Sequence, residues 1–276
     1  MFATLVIVFR EVFEAGLAIG IVAAALGHAP KALSYIWGGV LAGVAGSIVV
    51  AMFAGQLANL FGGFGQEMLN ASILILAVLM LAWHTMWMAR KGRQMAQEFK
   101  ALGQQAASGS KPMLAVAVVV ATSVLREGSE VVLFLYGAAA SSGATALQSL
   151  AGGLMGVILG GLVSYVTYKG IVRIPMRWVF SVTTGLITLL AAGMAAQAAH
   201  FLQAAGAVEM LSNEVWDWSS VLPDKGLAGT FLKALMGYSD RPTQLMLAAF
   251  VMTLVIFVLT NHFAKPKLRL QAVVKA

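Results

Sequence analysis

The chain is 276 residues long, 60% hydrophobic and only 11% charged, with a mean hydropathy of +0.86. A soluble domain carries about 25% charged residues, so most of this surface must be solvated by lipid rather than water. The net charge of +7 does not point to nucleic acid, because the basic residues fall between apolar spans and form no stripe with interleaved aromatics. The absence of cysteine excludes disulfides, thiolate metal sites and thiol redox chemistry.

Hydropathy predicts seven spans, each long enough for a hydrocarbon core of about 30 Å. In chain order they are Ala3–Gly27, Leu33–Leu60, Leu69–Ala89, Met113–Ala140, Leu147–Tyr168, Trp178–Phe201 and Leu245–His262. Met1 to Phe9 has no basic n-region or cleavage site and reads as the start of the first helix. Connections one, three and five and the C-terminal tail together hold thirteen Lys and Arg, against three in the sixth connection and none in the second and fourth. The positive-inside rule therefore predicts an extracytoplasmic N-terminus and a cytoplasmic C-terminus.

The expected plan is one all-α membrane domain. Repeat one covers 1–89, a polar cytoplasmic linker 90–111, repeat two 112–200, an extracytoplasmic loop 201–243, a seventh helix 244–263 and a basic tail 264–276. The repeat is legible in Val8-Phe-Arg-Glu-Val-Phe-Glu-Ala-Gly-Leu17, which aligns with Val124-Leu-Arg-Glu-Gly-Ser-Glu-Val-Val-Leu133. A fainter echo pairs Leu41-Ala-Gly-Val44 with Leu154-Met-Gly-Val157. Three spans per unit make the copies enter the membrane from opposite sides, an inverted 3+3 repeat with the site expected between them.

Arg10, Glu11 and Glu14 lie midway along the first span, and Arg126, Glu127 and Glu130 midway along the fourth. Each charge at a helix centre costs about 2.5–3.5 kcal/mol to insert, so three per span demand a function or close pairing. The i,i+3 spacing lets Glu11 converge with Glu14, and Glu127 with Glu130, while each Arg can brace the Glu four residues on. Four carboxylates against two guanidiniums leave a formal charge of −2, which a cation or protons would balance. Oxygen donors favour hard or borderline cations, iron and manganese among them. Two other readings are a pair of buried salt bridges locking helices together and a proton relay.

Glu67, Glu209, Glu214 and Asp217 lie in the expected extracytoplasmic connections, and His200 lies beside them at the end of the sixth span. As a group they are candidates for capturing the cation. His28 and His262 read as interfacial residues at span ends. His84 falls among Trp83, Met86, Trp87 and Met88, which read as an interfacial aromatic belt with lipid-facing packing. Recurring glycines such as Gly39, Gly43, Gly152, Gly156 and Gly160 predict close helix contacts.

The paired Arg-Glu-x-x-Glu motifs on spans one and four of a seven-span chain resemble the oxidase-dependent iron permease and iron/lead transporter family. Gly229-Thr-Phe and Met236-Gly-Tyr238 before the last span extend the likeness over nearly the whole chain. The resemblance implies iron import across a bacterial inner membrane, with iron as cargo and no resident cofactor. It implies that Glu11, Glu14, Glu127 and Glu130 bind the metal, with Arg10 and Arg126 in support. It also implies extracytoplasmic partners that bind or oxidise iron. The family often reads Arg-Glu-Gly-Leu-Glu, whereas here the inner residues are Val12-Phe13 and Gly128-Ser129. The alternatives are a carrier of lead, manganese or another divalent ion, an intramembrane metalloenzyme, and a non-transporting sensor or assembly subunit. The metalloenzyme has no His-Glu-x-x-His or paired nucleophile behind it.

Overall fold

The structure is a computed structural model that describes residues 1–27, 29–60, 65–142, 145–170, 176–224 and 226–264. His28, Lys225 and the basic tail from Lys265 onward lie outside the described residues, and the side chain of His262 is likewise not described. The described chain is helical: α1 (Phe2–Leu26), α2 (Ala32–Leu60), α3 (Gln66–Ala107), α4 (Met113–Ser142), α5 (Ala146–Tyr168), α6 (Met176–Ala204), α7 (Leu227–Met236) and α8 (Gln244–Ala264). A single bridge between Glu214 and Thr243 is the only extended pairing among the described residues.

Each predicted span coincides with a helix. Four segments are long and apolar enough to cross a membrane: Ala32–Gln56, Gln66–Gly92, Ala146–Tyr168 and Ser181–Ala204. The helices α1 and α4 differ from these only in the three charged residues each carries midway. In α8, Gln244–Thr260 is a shorter apolar stretch.

Local signals explain several helix ends. Thr145 caps α5 with a reciprocal box: its hydroxyl accepts from the Gln148 amide at 3.3 Å, and Gln148 Oε1 accepts from the Thr145 amide at 3.2 Å. Gly237 ends α7 in the left-handed conformation that favours glycine. The segment 90–111, expected as a polar linker, continues α3 to Ala107. Its Lys, Arg, Gln and Glu residues are good helix formers, and Gln94 donates to Glu98 one turn on at 2.8 Å. Leu102 and Ala106 at its far end are buried against the C-terminal end of α1.

The helices pack in crossed pairs, α1 on α5, α2 on α4 and α3 on α6, with α1 and α4 also touching each other. Glycines set the first two seams. A Cβ on Gly156 would lie 2.8 Å from Val8 Cβ and 2.9 Å from the Leu5 carbonyl, and one on Gly43 would lie 2.6 Å from Val124 Cβ and 2.7 Å from the Ala121 carbonyl. Small residues let these backbones approach in lipid, where dispersion rather than water exclusion holds helices together.

Val12, which stands where the family often reads glycine, finds its explanation here. Val12 packs on Gly160, and at the corresponding place in the other seam Gly128 packs on Ser47. The larger residue has changed sides, so each seam keeps one small partner.

Two apolar clusters bracket the middle of the bundle. One gathers Ile7, Leu74, Leu81, Phe134, Leu190 and Phe257, toward the N-terminal end of α1. The other gathers Val22, Leu26, Ile36, Leu102, Val116 and Val120, toward its C-terminal end. The motif residues lie between them. The long connection expected as a loop contains α7, which packs against α1, α4 and α6, with the Phe231 ring 5.0 Å from that of Phe2.

Candidate metal centre

Helices α1 and α4 bring both motifs into one buried cluster, and α3 adds a residue that the sequence reading had set aside. Arg10 Nη1 donates to Glu11 Oε1 at 3.1 Å, and its Nε forms a 2.9 Å ion pair with Glu14 Oε1. Each bond follows from helical spacing, i,i+1 and i,i+4. On α4, Arg126 Nε donates to Glu127 Oε1 at 3.1 Å and lies 3.8 Å from Glu130 Oε1. The Arg126 Nη2 atom also pairs with Glu127 Oε1.

The two halves differ in surroundings. The Arg10 side chain is 4% exposed, whereas that of Arg126 is 34% exposed. Arg126 stacks over Trp87 at 4.7 Å from the ring centroid and reaches Met95 Sδ at 3.9 Å and Met88 Sδ at 4.0 Å. Trp87 and Met88 thus serve the site rather than the lipid, while Trp83 is exposed as a membrane-facing residue would be.

His84 is the residue that sequence reasoning missed. It is buried, its Nε2 lies 3.3 Å from Glu14 Oε2, and its Nδ1 pairs with Glu130 Oε2. One ligand atom from each of Glu11, His84, Glu127 and Glu130 fits within a mutual separation of 4.8 Å. The signal was periodicity: Leu74, Ala77, Leu81 and His84 recur at helical spacing on the buried face of α3. The neighbouring tryptophans and methionines suggested a belt and masked that phase.

The electrostatics favour a cation. Glu11 Oε2 and Glu127 Oε2 are buried and accept from no amide, guanidinium or imidazole, while the two carboxyls lie within hydrogen-bonding reach of each other. A cation or a shared proton between them offsets a cost of about 1–3 kcal/mol for each orphaned acceptor, more when charged. The ion pairs with Arg10 and Arg126 use the other oxygen of each carboxylate, so two acceptors remain for a shared ligand. Carboxylate oxygens with one imidazole nitrogen form a donor set suited to a first-row divalent metal.

The candidates for cation capture lie apart from this cluster. Glu67 is exposed in the first turn of α3, and Glu209 and Glu214 are exposed in the long connection. Asp217 accepts from the Ser219 hydroxyl at 2.6 Å and from its amide at 3.0 Å, and lies 3.0 Å from Arg241 Nη2. The Ser219 bonds and the Arg241 charge hold its carboxyl below the usual range, and these partners already occupy it. His200 is exposed near the end of α6, its ring 5.9 Å from Phe201.

Among the curated relatives this chain resembles, three are similar over 88% of its length. It is 28% identical over 246 residues to the "Ferrous iron permease EfeU" of Yersinia pestis, covering 86% of that protein. It is 28% identical over 249 residues to that of Yersinia pseudotuberculosis serotype I (strain IP32953), covering 87%, and 27% identical over 246 residues to that of Escherichia coli O6:H1, covering 88%. No solved structure matches this one significantly. The profile of the Iron permease FTR1 family matches residues 1–266, and the chain belongs to that family, one of transporters rather than enzymes.

Proposed function

We propose that the chain imports iron, as the ferrous ion, into the cytoplasm through a site between α1 and α4. Glu11, Glu14, Glu127 and Glu130 hold the cation there. Arg10 and Arg126 brace the carboxylates and offset part of their charge. The observation that carries this reading is the group of donor atoms from Glu11, His84, Glu127 and Glu130 within 4.8 Å of one another, to which Glu14 is joined through His84. Family membership and relatives described as ferrous iron permeases support the cargo.

In this reading α1–α6 and α8 are the seven spans, and α1–α3 and α4–α6 are inverted repeats. The crossed pairing of α1 with α5 and α2 with α4 is what a two-fold relation between repeats requires. The N-terminus is extracytoplasmic, the membrane is the bacterial inner membrane, and extracytoplasmic proteins deliver the iron. Glu67, His200, Glu209, Glu214 and Asp217 lie on the delivery side.

The test is uptake of radioactive Fe²⁺ into proteoliposomes holding only this chain. Wild type accumulates iron. Glu11→Gln and Glu127→Gln, each removing one oxygen ligand, reduce initial uptake at least ~100-fold, in line with the loss of about 3 kcal/mol from a charge-assisted contact. Wild-type uptake by both variants sinks the proposed site. Transport by neither wild type nor variants would leave a sensor or assembly role.

A further inference from the structure

His84 is the only member of the buried ligand group that belongs to neither motif. Its ring spans the junction between the two halves. One nitrogen faces Glu14 and the other faces Glu130, and these glutamates occupy equivalent positions of their motifs. A histidine that merely fills a helix interface satisfies one nitrogen and packs its carbon edge. Here both nitrogens meet carboxylates in a cluster that already holds surplus acceptors.

We propose that His84 is a direct ligand of the transported cation and sets its identity, making the site prefer Fe²⁺ over Mn²⁺ and Mg²⁺. This rests on the reading of the cluster as the transport site. The chemistry follows from the donor atoms. Carboxylate oxygens alone suit Mg²⁺ and Mn²⁺, whereas an imidazole nitrogen shifts preference toward iron and the later first-row metals.

The geometry fits that role. Either ring nitrogen can bind the cation while the glutamate on the other fixes the ring's tautomer and orientation, the carboxylate–histidine–metal arrangement common at metal sites. Glu14 and Glu130 come from different helices, so one remains to orient the ring whichever nitrogen coordinates. Because α3 belongs to one repeat, the nitrogen enters from one side only. The site is therefore chemically asymmetric even though its four carboxylates are paired.

The experiment compares initial uptake of Fe²⁺ and Mn²⁺ in proteoliposomes for wild type, His84→Gln and Glu11→Gln. His84→Gln keeps a polar group of similar reach and replaces nitrogen with amide oxygen. The expected result is an Fe²⁺:Mn²⁺ ratio at least ~10-fold lower than wild type, with Mn²⁺ uptake retained, and no uptake of either ion by Glu11→Gln. An unchanged ratio in His84→Gln beside an inactive Glu11→Gln overturns this inference and leaves the transport site standing. An active Glu11→Gln removes the site itself. A second measurement needs no change at position 84: X-ray absorption at the iron edge of Fe²⁺-loaded protein carrying His28→Gln, His200→Gln and His262→Gln. Imidazole multiple scattering then comes only from His84, and an oxygen-only shell overturns the assignment.

Discussion

Arg10 and Arg126 occupy the same motif position and carry the same charge, yet their environments assign them different weights. Arg10 is enclosed, and removing it strands Glu11 and Glu14 in the protein interior. Breaking a buried pair in this way costs about 3–5 kcal/mol. Arg126 is a third exposed, so its side chain fills less of the interior and its replacement removes fewer packing contacts. The expected outcome is that Arg10→Met lowers the denaturant midpoint further than Arg126→Met does, read by unfolding titrations in detergent micelles. Equal shifts would mean that the two arginines are equally integral to the packing of their halves. At this scale the motif glutamates and arginines were legible because charge inside an apolar span is conspicuous. His84 was not, because a lone histidine beside tryptophans looks interfacial until the phase of its helix is known.

At the level of elements, the seams between α1 and α5 and between α2 and α4 decide how closely the two motifs approach. The exchange of Val12 and Gly160 for Gly128 and Ser47 predicts a compensating pair. Gly128→Val overpacks its seam and destabilises by about 1–3 kcal/mol, and adding Ser47→Gly recovers most of that loss. Thermal unfolding of the single and double variants checks it, and an additive double variant would remove the seam argument. Glycine spacing signalled these contacts in advance, but not which helix each glycine meets. The expected linker became helix for a related reason. Polar composition reports solvent, and α3 from Arg90 to Ala107 is both polar and helical.

For the whole molecule, the site is closed on both sides. One apolar cluster separates it from the N-terminal end of α1, the other from the C-terminal end. If the cluster is the proposed transport site, this arrangement is the occluded one and each apolar cluster parts in turn. The proposed orientation has a direct test in a chain without cysteine. Glu67→Cys and Asp217→Cys should react with a membrane-impermeant maleimide on intact cells, and Lys111→Cys only after lysis. Labelling of Lys111→Cys on intact cells would invert the topology.

Sequence alone determined the membrane class, where the apolar helices run and the two charged motifs. Each of these is a local property, since hydropathy and helical spacing need no knowledge of neighbours. Tertiary structure decided what the local signals leave open. It brought α1 and α4 together with α3 beside them, put His84 between Glu14 and Glu130, set the carboxyls of Glu11 and Glu127 within reach of each other, and kept the loop acids apart. The physical reason is that a ligand set is defined by distances between helices. Those distances are set by which small residues face each other across a seam, and that pairing appears only once the helices have packed.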